Sequence, residues 1–292
     1  FASRPDDFIK YGIYTCRFYV DGEWVEVITD TNIPCIQNMI TSRYIPAYGT
    51  SENPNETWIA FVEKAFAKAM GSYEEIPNIK VQKALLHLTG GSVQAVNMKE
   101  EAQRYDTVSD SEAWIIFKKK LDNDSIVLLM PNEKKSIDAD GSVGDDVPAE
   151  SNNNNNNNSG RQPGDEFFIP EMLYSAVLCR DMGGYELVLM HNPWRADGYE
   201  WTGEWSDTSN DWDLYPEMLT ELERDPQVPW TRRKPNGYFW ISFRNVVKHF
   251  NRTYYCKLFP SDKFNFYCAR GECRGRFAGG PLVPLRDKSI VL

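Results

Sequence analysis

The apolar positions along the chain follow both strand-like and helix-like periods. Two runs rich in aromatic and β-branched residues, 12–20 and 23–28, flank Asp21-Gly22, a dipeptide typical of a tight hairpin turn. Over 56–70, apolar residues recur every three or four positions, which predicts an amphipathic helix that ends at Gly71. Further helices are predicted at about 79–88, 109–122 and 214–224.

In the second half of the chain, strand patterns dominate. Strands are predicted over 125–130, 173–179, 185–190 and 238–243. The turn-forming residues 181–184 join two of these strands into a hairpin, and a helix that ends at Phe250 follows the last strand. From Tyr254 onward, short strands and Gly-rich turns favour the start of a separate β domain. Taken together, the patterns predict an α+β fold.

Residues 131–166 interrupt this pattern. The segment contains the consecutive asparagines 152–158 and many acidic residues, but few apolar ones. Such a composition cannot bury enough apolar surface to offset its ordering entropy. We therefore expect a disordered insertion within a loop, because strand patterns resume directly after it.

The composition excludes several classes of function. The 292 residues include 32 Lys+Arg and 42 Asp+Glu, a net charge of −10 that argues against nucleic acid or an anionic membrane surface as the main partner. No apolar run reaches the length of a membrane span. The six cysteines are scattered without a metal-binding or disulfide pattern, so we expect buried thiols in a cytoplasmic protein. Because residue 1 is Phe and no signal peptide follows, we expect an excerpt of a longer chain.

Candidate chemistry is sparse when residues are considered singly. The chain has only three histidines, and none adjoins a cysteine in a pattern that favours nucleophilic catalysis. His87 lies on an apolar helix face, His249 in a predicted helix, and His191 next to Asn192, where neighbouring strand residues point to opposite faces. Acidic residues near a Trp-rich loop could offer oxygen ligands to Ca²⁺, namely Glu200, Asp207, Asp211 and Asp213.

A series of motifs, in a fixed order along residues 10–259, resembles the protease core of the calpain family. They are Gly22-Glu23-Trp24-Val25-Glu26-Val27, Glu56-Thr57-Trp58, Gly71-Ser72-Tyr73-Glu74, Leu88-Thr89-Gly90-Gly91, Asn192-Pro193-Trp194, Glu200-Trp201-Thr202-Gly203, Trp205-Ser206-Asp207 and Gly237-Tyr238-Phe239-Trp240. The resemblance implies that residues 1–259 form the second subdomain of a papain-like core, an antiparallel sheet flanked by helices. It also implies that residues 260–292 begin a C2-like β-sandwich. We expect the tryptophans of these motifs to serve core packing.

The resemblance also indicates an altered catalytic triad. Calpains use Cys, His and Asn, and the resemblance places the nucleophile upstream of residue 1. Asn192 matches the triad Asn. Counting back from it without gaps puts Met172 at the triad His position, and a shift of two residues puts Tyr174 there. Neither side chain can act as a general base near neutral pH.

The resemblance also indicates an altered calcium site. Calpains bind Ca²⁺ in this subdomain through two acids in the Trp-rich loop, matched by Glu200 and Asp207. Two further acids near the following strand correspond to Asn236 and Tyr238. With two anionic ligands replaced, we expect weak or absent Ca²⁺ binding and no other cofactor.

These features predict a non-catalytic calpain-like domain that acts as a structural or protein-interaction module. Residues 15–35 and 181–184 look most like the calpain-like proteins of kinetoplastids, which implies protein partners in the microtubule cytoskeleton and a cytoplasmic location. The alternative is a fragment of an active calcium-dependent cysteine endopeptidase whose nucleophile lies upstream. A peptide-binding domain that uses the altered cleft is a third hypothesis.

Overall fold

The computed structural model describes residues 9–40, 42–51, 56–97, 110–132, 168–169, 171–193, 201–234, 236–260 and 262–265. Its strands are β1 (Tyr14–Val20), β2 (Glu23–Thr29), β3 (Cys35–Gln37), β4 (Tyr44–Pro46), β5 (Ser92–Asn97), β6 (Ser125–Pro131), β7 (Tyr174–Met182), β8 (Tyr185–His191), β9 (Tyr238–Ser242) and β10 (Phe250–Lys257). Its α-helices are α1 (Trp58–Met70), α2 (Val81–Thr89), α3 (Asp110–Asp122), α4 (Asp211–Leu214), α5 (Pro216–Arg224) and α6 (Phe243–His249). Short 3₁₀ turns lie at Ile9–Tyr11 and Ile76–Asn78.

The predicted first hairpin is confirmed. β1 and β2 pair antiparallel around Asp21 and Gly22, whose φ angles of 50° and 87° are both positive, as a tight turn of this kind requires. The hairpin packs on α1 and α2. Phe18 and Phe66 form an edge-to-face pair in this small core, with ring centroids 5.3 Å apart.

The largest sheet of the described structure has six strands, and all of its pairings are antiparallel. The strand order is β5-β10-β6-β7-β8-β9. Helices α3 and α6 cover one face through an apolar cluster that includes Trp114, Phe117, Phe243 and Val246. On the other face, α2 covers the end of the sheet near β10. Residues 205–230 of the β8–β9 connection, which is defined here as residues 192–237, pack on that face around β8 and β9.

The β8–β9 connection carries its own tryptophan-rich core. Trp205, Trp212 and Trp230 are buried against Trp240 of β9 and against two leucines of β8. Trp201 is also buried, on the α3 and α6 side of the sheet. The prediction that these tryptophans serve packing is therefore confirmed. It is wrong for Trp58, which is 53% exposed at the start of α1, and Trp194 lies outside the described residues.

The structure confirms the α+β class and corrects several details. Tyr254 does not begin a new domain, because β10 is an inner strand of the sheet, between β5 and β6. The predicted insertion does not start at 131, because Pro131 ends β6 and the backbone N–H of Asn132 donates to the carbonyl of His249 at 2.8 Å. Residues 133–167 and 266–292 lie outside the described residues. The predicted domain boundary at 260 stays a prediction.

The helix predicted over 214–224 is divided into two. Pro216 has no backbone N–H to donate, so it starts α5 and separates it from α4. Three strands were not predicted: β3, β4 and β5. In the part of the chain that the structure covers, no helix is both long and apolar enough to cross a membrane.

Candidate functional site

The candidate site lies where β7 begins and β8 ends. These strands are neighbours, and Ser175 pairs with His191 while Ala176 pairs with Met190. Since side chains alternate between the two faces of a sheet, residues 172, 174, 190 and 192 share one face. Tyr174 and Met190 are buried in the cluster on that face, and Met172 packs against the same cluster. The fold therefore brings Met172 and Asn192 to one side of the sheet.

Asn192 is held firmly at the end of β8. The residue is fully buried, and its backbone N–H donates to the carbonyl oxygen of Gly237 at 2.7 Å. This hydrogen bond extends the β8–β9 ladder by one residue. The Asn192 side chain is thus positioned by the sheet itself and not by a loose loop.

Tyr174 has a structural partner on the same face. Its ring is fully buried, and its hydroxyl accepts a hydrogen bond from the backbone N–H of Ile169 at 3.0 Å. Burial raises the pKa of the Tyr174 hydroxyl above its ordinary value. The phenol therefore stays protonated at neutral pH and is unsuited to act as a general base.

Each of the three histidines is placed by the structure. The His87 ring is buried under the first hairpin, with Nδ1 2.7 Å from the carbonyl oxygen of Tyr19. His191 lies on the opposite face of the sheet from Asn192, with its ring 4.4 Å from the ring of Tyr238. Burial lowers the pKa of His191, so its imidazole is neutral at physiological pH. The His249 ring at the end of α6 packs against Trp201, at 5.5 Å between centroids.

The described cysteines have no catalytic features. Cys16, Cys179 and Cys256 are buried free thiols, as predicted, and burial raises the pKa of each. A raised pKa keeps the thiol protonated and poorly nucleophilic. The prediction of burial is wrong for Cys35, which is exposed on β3. The remaining two cysteines lie outside the described residues.

The residues matched to calcium ligands are engaged with protein partners. One carboxylate oxygen of Asp207 accepts a hydrogen bond from the indole Nε1 of Trp230 at 2.6 Å. The Asn236 carboxamide donates to the carbonyl of Pro229 at 2.8 Å and accepts from the backbone N–H of Tyr238 at 3.1 Å. The ring of Tyr238 faces His191. Glu200 lies outside the described residues.

The described members of this set are not grouped as a metal-ion site. Ca²⁺ takes six to eight oxygen ligands, several of them carboxylates. Within the described ranges, no group of three or more His, Cys, Asp or Glu residues is arranged to hold a metal ion. Asp211 is also engaged, since it accepts hydrogen bonds from the backbone N–H of Trp205 at 3.1 Å and from the hydroxyl of Ser209 at 2.5 Å.

Two residues that matter in this region were missed by the sequence analysis. Trp230 and Arg232 bind Asp207 and Asp213, which lie 23 and 19 positions earlier in the chain. No local pattern marks such pairs. The only signal in the sequence was an unusual concentration of Trp, Asp and Arg between 200 and 234.

Comparisons with known proteins agree with the motif order. The profile of the calpain family cysteine proteases matches residues 3–257. A calpain-type cysteine protease of Oryza sativa subsp. japonica is 33% identical over 274 residues, which cover 94% of this chain and 11% of the relative. Calpain-A of Drosophila melanogaster is 30% identical over 250 residues, 85% of this chain and 26% of the relative. Calpain-5 of Mus musculus is 25% identical over 276 residues, 93% of this chain and 38% of the relative.

The matched region thus spans between about a tenth and two fifths of the length of these relatives. It covers nearly the whole of this chain, and it includes Met172 just before β7 and Asn192 just after β8. The chain therefore belongs to the calpain family of cysteine proteases.

Proposed function

We propose that this calpain-family domain does not hydrolyse peptides and serves as a structural or protein-interaction module. The observation that carries the proposal is the identity of residue 172. Met172 shares a sheet face with Asn192, where a calpain needs its general base. A thioether has no titratable proton and cannot activate a thiol.

The backbone before Met172 supports this placement. In the family segment that resembles 171–175, a glycine precedes the catalytic His. Glu171 occupies that glycine position here, and its φ of 61° lies in the left-handed region that favours glycine. A backbone conformation at position 171 that favours glycine supports the ungapped match of Met172 to the His position over the shifted match of Tyr174.

The alternative function is that of a calcium-dependent cysteine endopeptidase whose nucleophile lies outside this chain. It would need another general base beside Asn192. His191 has a neutral imidazole but lies on the opposite face of the sheet. His87 is committed to the carbonyl of Tyr19, and His249 packs against Trp201. None of the three occupies the position of the triad His, so the geometry favours the non-catalytic function.

We expect the full-length protein to show no thiol-dependent cleavage of a denatured protein substrate, with or without millimolar Ca²⁺. The physical reason is the missing general base, since an unactivated thiol at neutral pH is mostly protonated. Substrate fragments would be followed by gel electrophoresis, with iodoacetamide to alkylate thiols. A mock preparation from cells without the protein identifies contaminating proteases. Cleavage above that background that iodoacetamide abolishes would show the non-catalytic proposal to be wrong.

The interaction role is proposed for a cytoplasmic protein of the microtubule cytoskeleton, in line with the likeness to kinetoplastid calpain-like proteins. If the domain carries that interaction, the full-length protein co-sediments with polymerised tubulin, and a variant that lacks residues 10–259 stays in the supernatant. A deletion variant that sediments as well as the intact protein would place the interaction elsewhere. If neither form sediments with the polymerised tubulin, the proposed association with the microtubule cytoskeleton is wrong.

A further inference from the structure

The beginning and the end of the β8–β9 connection must be held together by a contact between them. In the calpain resemblance this contact is made through Ca²⁺, because the matched ligands come from residues 200 and 207 at one end and 236 and 238 at the other. Among the described residues of this chain no metal site is assembled, and Asp207 and Asn236 bind protein groups.

In this chain, hydrogen bonds between side chains of the connection hold its beginning and its end together. Trp230, near the end, donates its indole N–H to Asp207, near the beginning. Two residues later, Arg232 donates to both carboxylate oxygens of Asp213, at 2.6 and 2.9 Å. The same guanidinium also donates to the backbone carbonyl of Ser209 at 3.1 Å. Two rows of contacts therefore tie residues 207–213 to residues 230–232.

The position of Arg232 suits the role of a fixed cation. Its side chain is only 12% exposed, while that of Asp213 is 56% exposed, so the positive charge is on the inner side of the pair. The planar guanidinium binds a carboxylate through two parallel hydrogen bonds, which fix direction as well as distance. The hydrogen bonds from Arg232 also lower the pKa of the Asp213 carboxyl, which keeps it ionised across the physiological range.

We infer that Arg232 is a built-in cation that closes the β8–β9 connection, so that this connection is ordered without calcium. The guanidinium supplies the positive charge between the two ends of the connection, and the Trp230–Asp207 contact completes the closure. The inference concerns the ordering of the connection and stands whether or not the domain hydrolyses peptides.

The first test measures amide hydrogen exchange of the full-length protein in millimolar Ca²⁺ and in excess EGTA. We expect the same protection of peptides from 203–213 and 228–234 under both conditions. A resident cation at 100 times its dissociation constant would stabilise the ordered form about 100-fold. Protection of these peptides that falls about tenfold or more in EGTA would overturn the inference.

The second test removes the proposed cation. Arg232→Gln keeps a polar side chain of similar reach but not the charge, and we expect exchange in the same two peptides to become about tenfold faster or more. Added Ca²⁺ should not restore protection. Lys234→Gln is the matched control, because it removes a nearby positive charge from an exposed side chain, and exchange in this variant should stay at the wild-type level.

Asp213→Asn provides a second variant, since its carboxylate is largely exposed and the substitution leaves the buried core unchanged. It should accelerate exchange in the same peptides, while peptides of β6 and β10 keep their protection. If Arg232→Gln and Asp213→Asn both exchange like Lys234→Gln, Arg232 does not close the connection. The inference fails equally if calcium restores the protection that Arg232→Gln loses.

Discussion

Replacing Trp212 with Ala is expected to lower the free energy of unfolding by about 3–5 kcal/mol, the range for large-to-small changes at buried aromatic residues. Trp212 is fully buried at the centre of the β8–β9 connection. Its ring lies 4.9 Å from that of Trp205 and 5.0 Å from that of Trp230, and its indole N–H donates to the carbonyl of Ser206 at 2.8 Å. The substitution leaves a cavity between two other large rings and removes one of the two hydrogen bonds that the Ser206 carbonyl accepts, the other being from the backbone N–H of Ser209.

The measurement is urea unfolding followed by far-ultraviolet circular dichroism, which does not depend on tryptophan emission. Trp58→Ala is the matched control, because Trp58 is about half exposed, and its cost should stay within about 1 kcal/mol. Equal losses for the two variants would contradict the burial pattern described here. So would a Trp212→Ala protein with the wild-type unfolding midpoint.

The same core has a consequence for the candidate site. Trp230 packs on Trp212 and also donates to Asp207, so the tryptophan cluster sets the position of the Asp207 carboxylate. Loss of Trp212 would therefore loosen the contact between Trp230 and Asp207 as well as the core. Packing and closure of the β8–β9 connection are thus coupled through one indole ring.

The sequence predicts the elements whose stability comes from local pattern. Asp21-Gly22 between two strand-like runs predicts the first hairpin, because few other residues accept two consecutive positive φ angles. The apolar period predicts α1 and α2 to within two residues at each end, and Gly71 and Gly90 terminate them. In these segments the residues that select the conformation are neighbours in the chain.

Elements that depend on distant partners could not be predicted in the same way. β5 is an edge strand with only two half-buried side chains, so its sequence shows no clear alternation. It forms because β10, far along the chain, offers a row of backbone partners. For the same reason β10 was mistaken for the start of another domain, since nothing local shows that it lies between β5 and β6.

In the candidate site, too, some features follow from the local sequence, and others depend on residues far away in the chain. Asn192 and Met172 could be proposed from motif order, but the sequence alone does not show that they share a face. That conclusion needs the register of β7 on β8, in which Ser175 pairs with His191. The partners of Asp207 and Asp213 were beyond prediction, since each hydrogen bond spans about twenty positions of the chain, helix α5 among them, and no local pattern links its two ends.

The junction between α2 and β5 should tolerate a single added methyl group poorly. Gly91 follows the left-handed Gly90 that ends α2, and it brings the chain against the end of β10. A Cβ at Gly91 would lie 2.6 Å from the backbone carbonyl oxygen of Lys257 and 2.8 Å from the Sγ of Cys256. Backbone of an inner strand cannot move away without disturbing its pairing with both neighbours.

We therefore expect Gly91→Ala to lower the free energy of unfolding by about 3 kcal/mol, at the upper end of the usual range for overpacking. Gly49→Ala is the control, because its added methyl would meet only the side chains of Ile59 and Glu63, at 3.1 Å or more. The two variants would be compared by the same urea titration. Amide exchange should also rise in β5 and at the end of β10 in Gly91→Ala alone. If both alanines cost equally little, the close contact between Gly91 and Lys257 is not part of the folded protein.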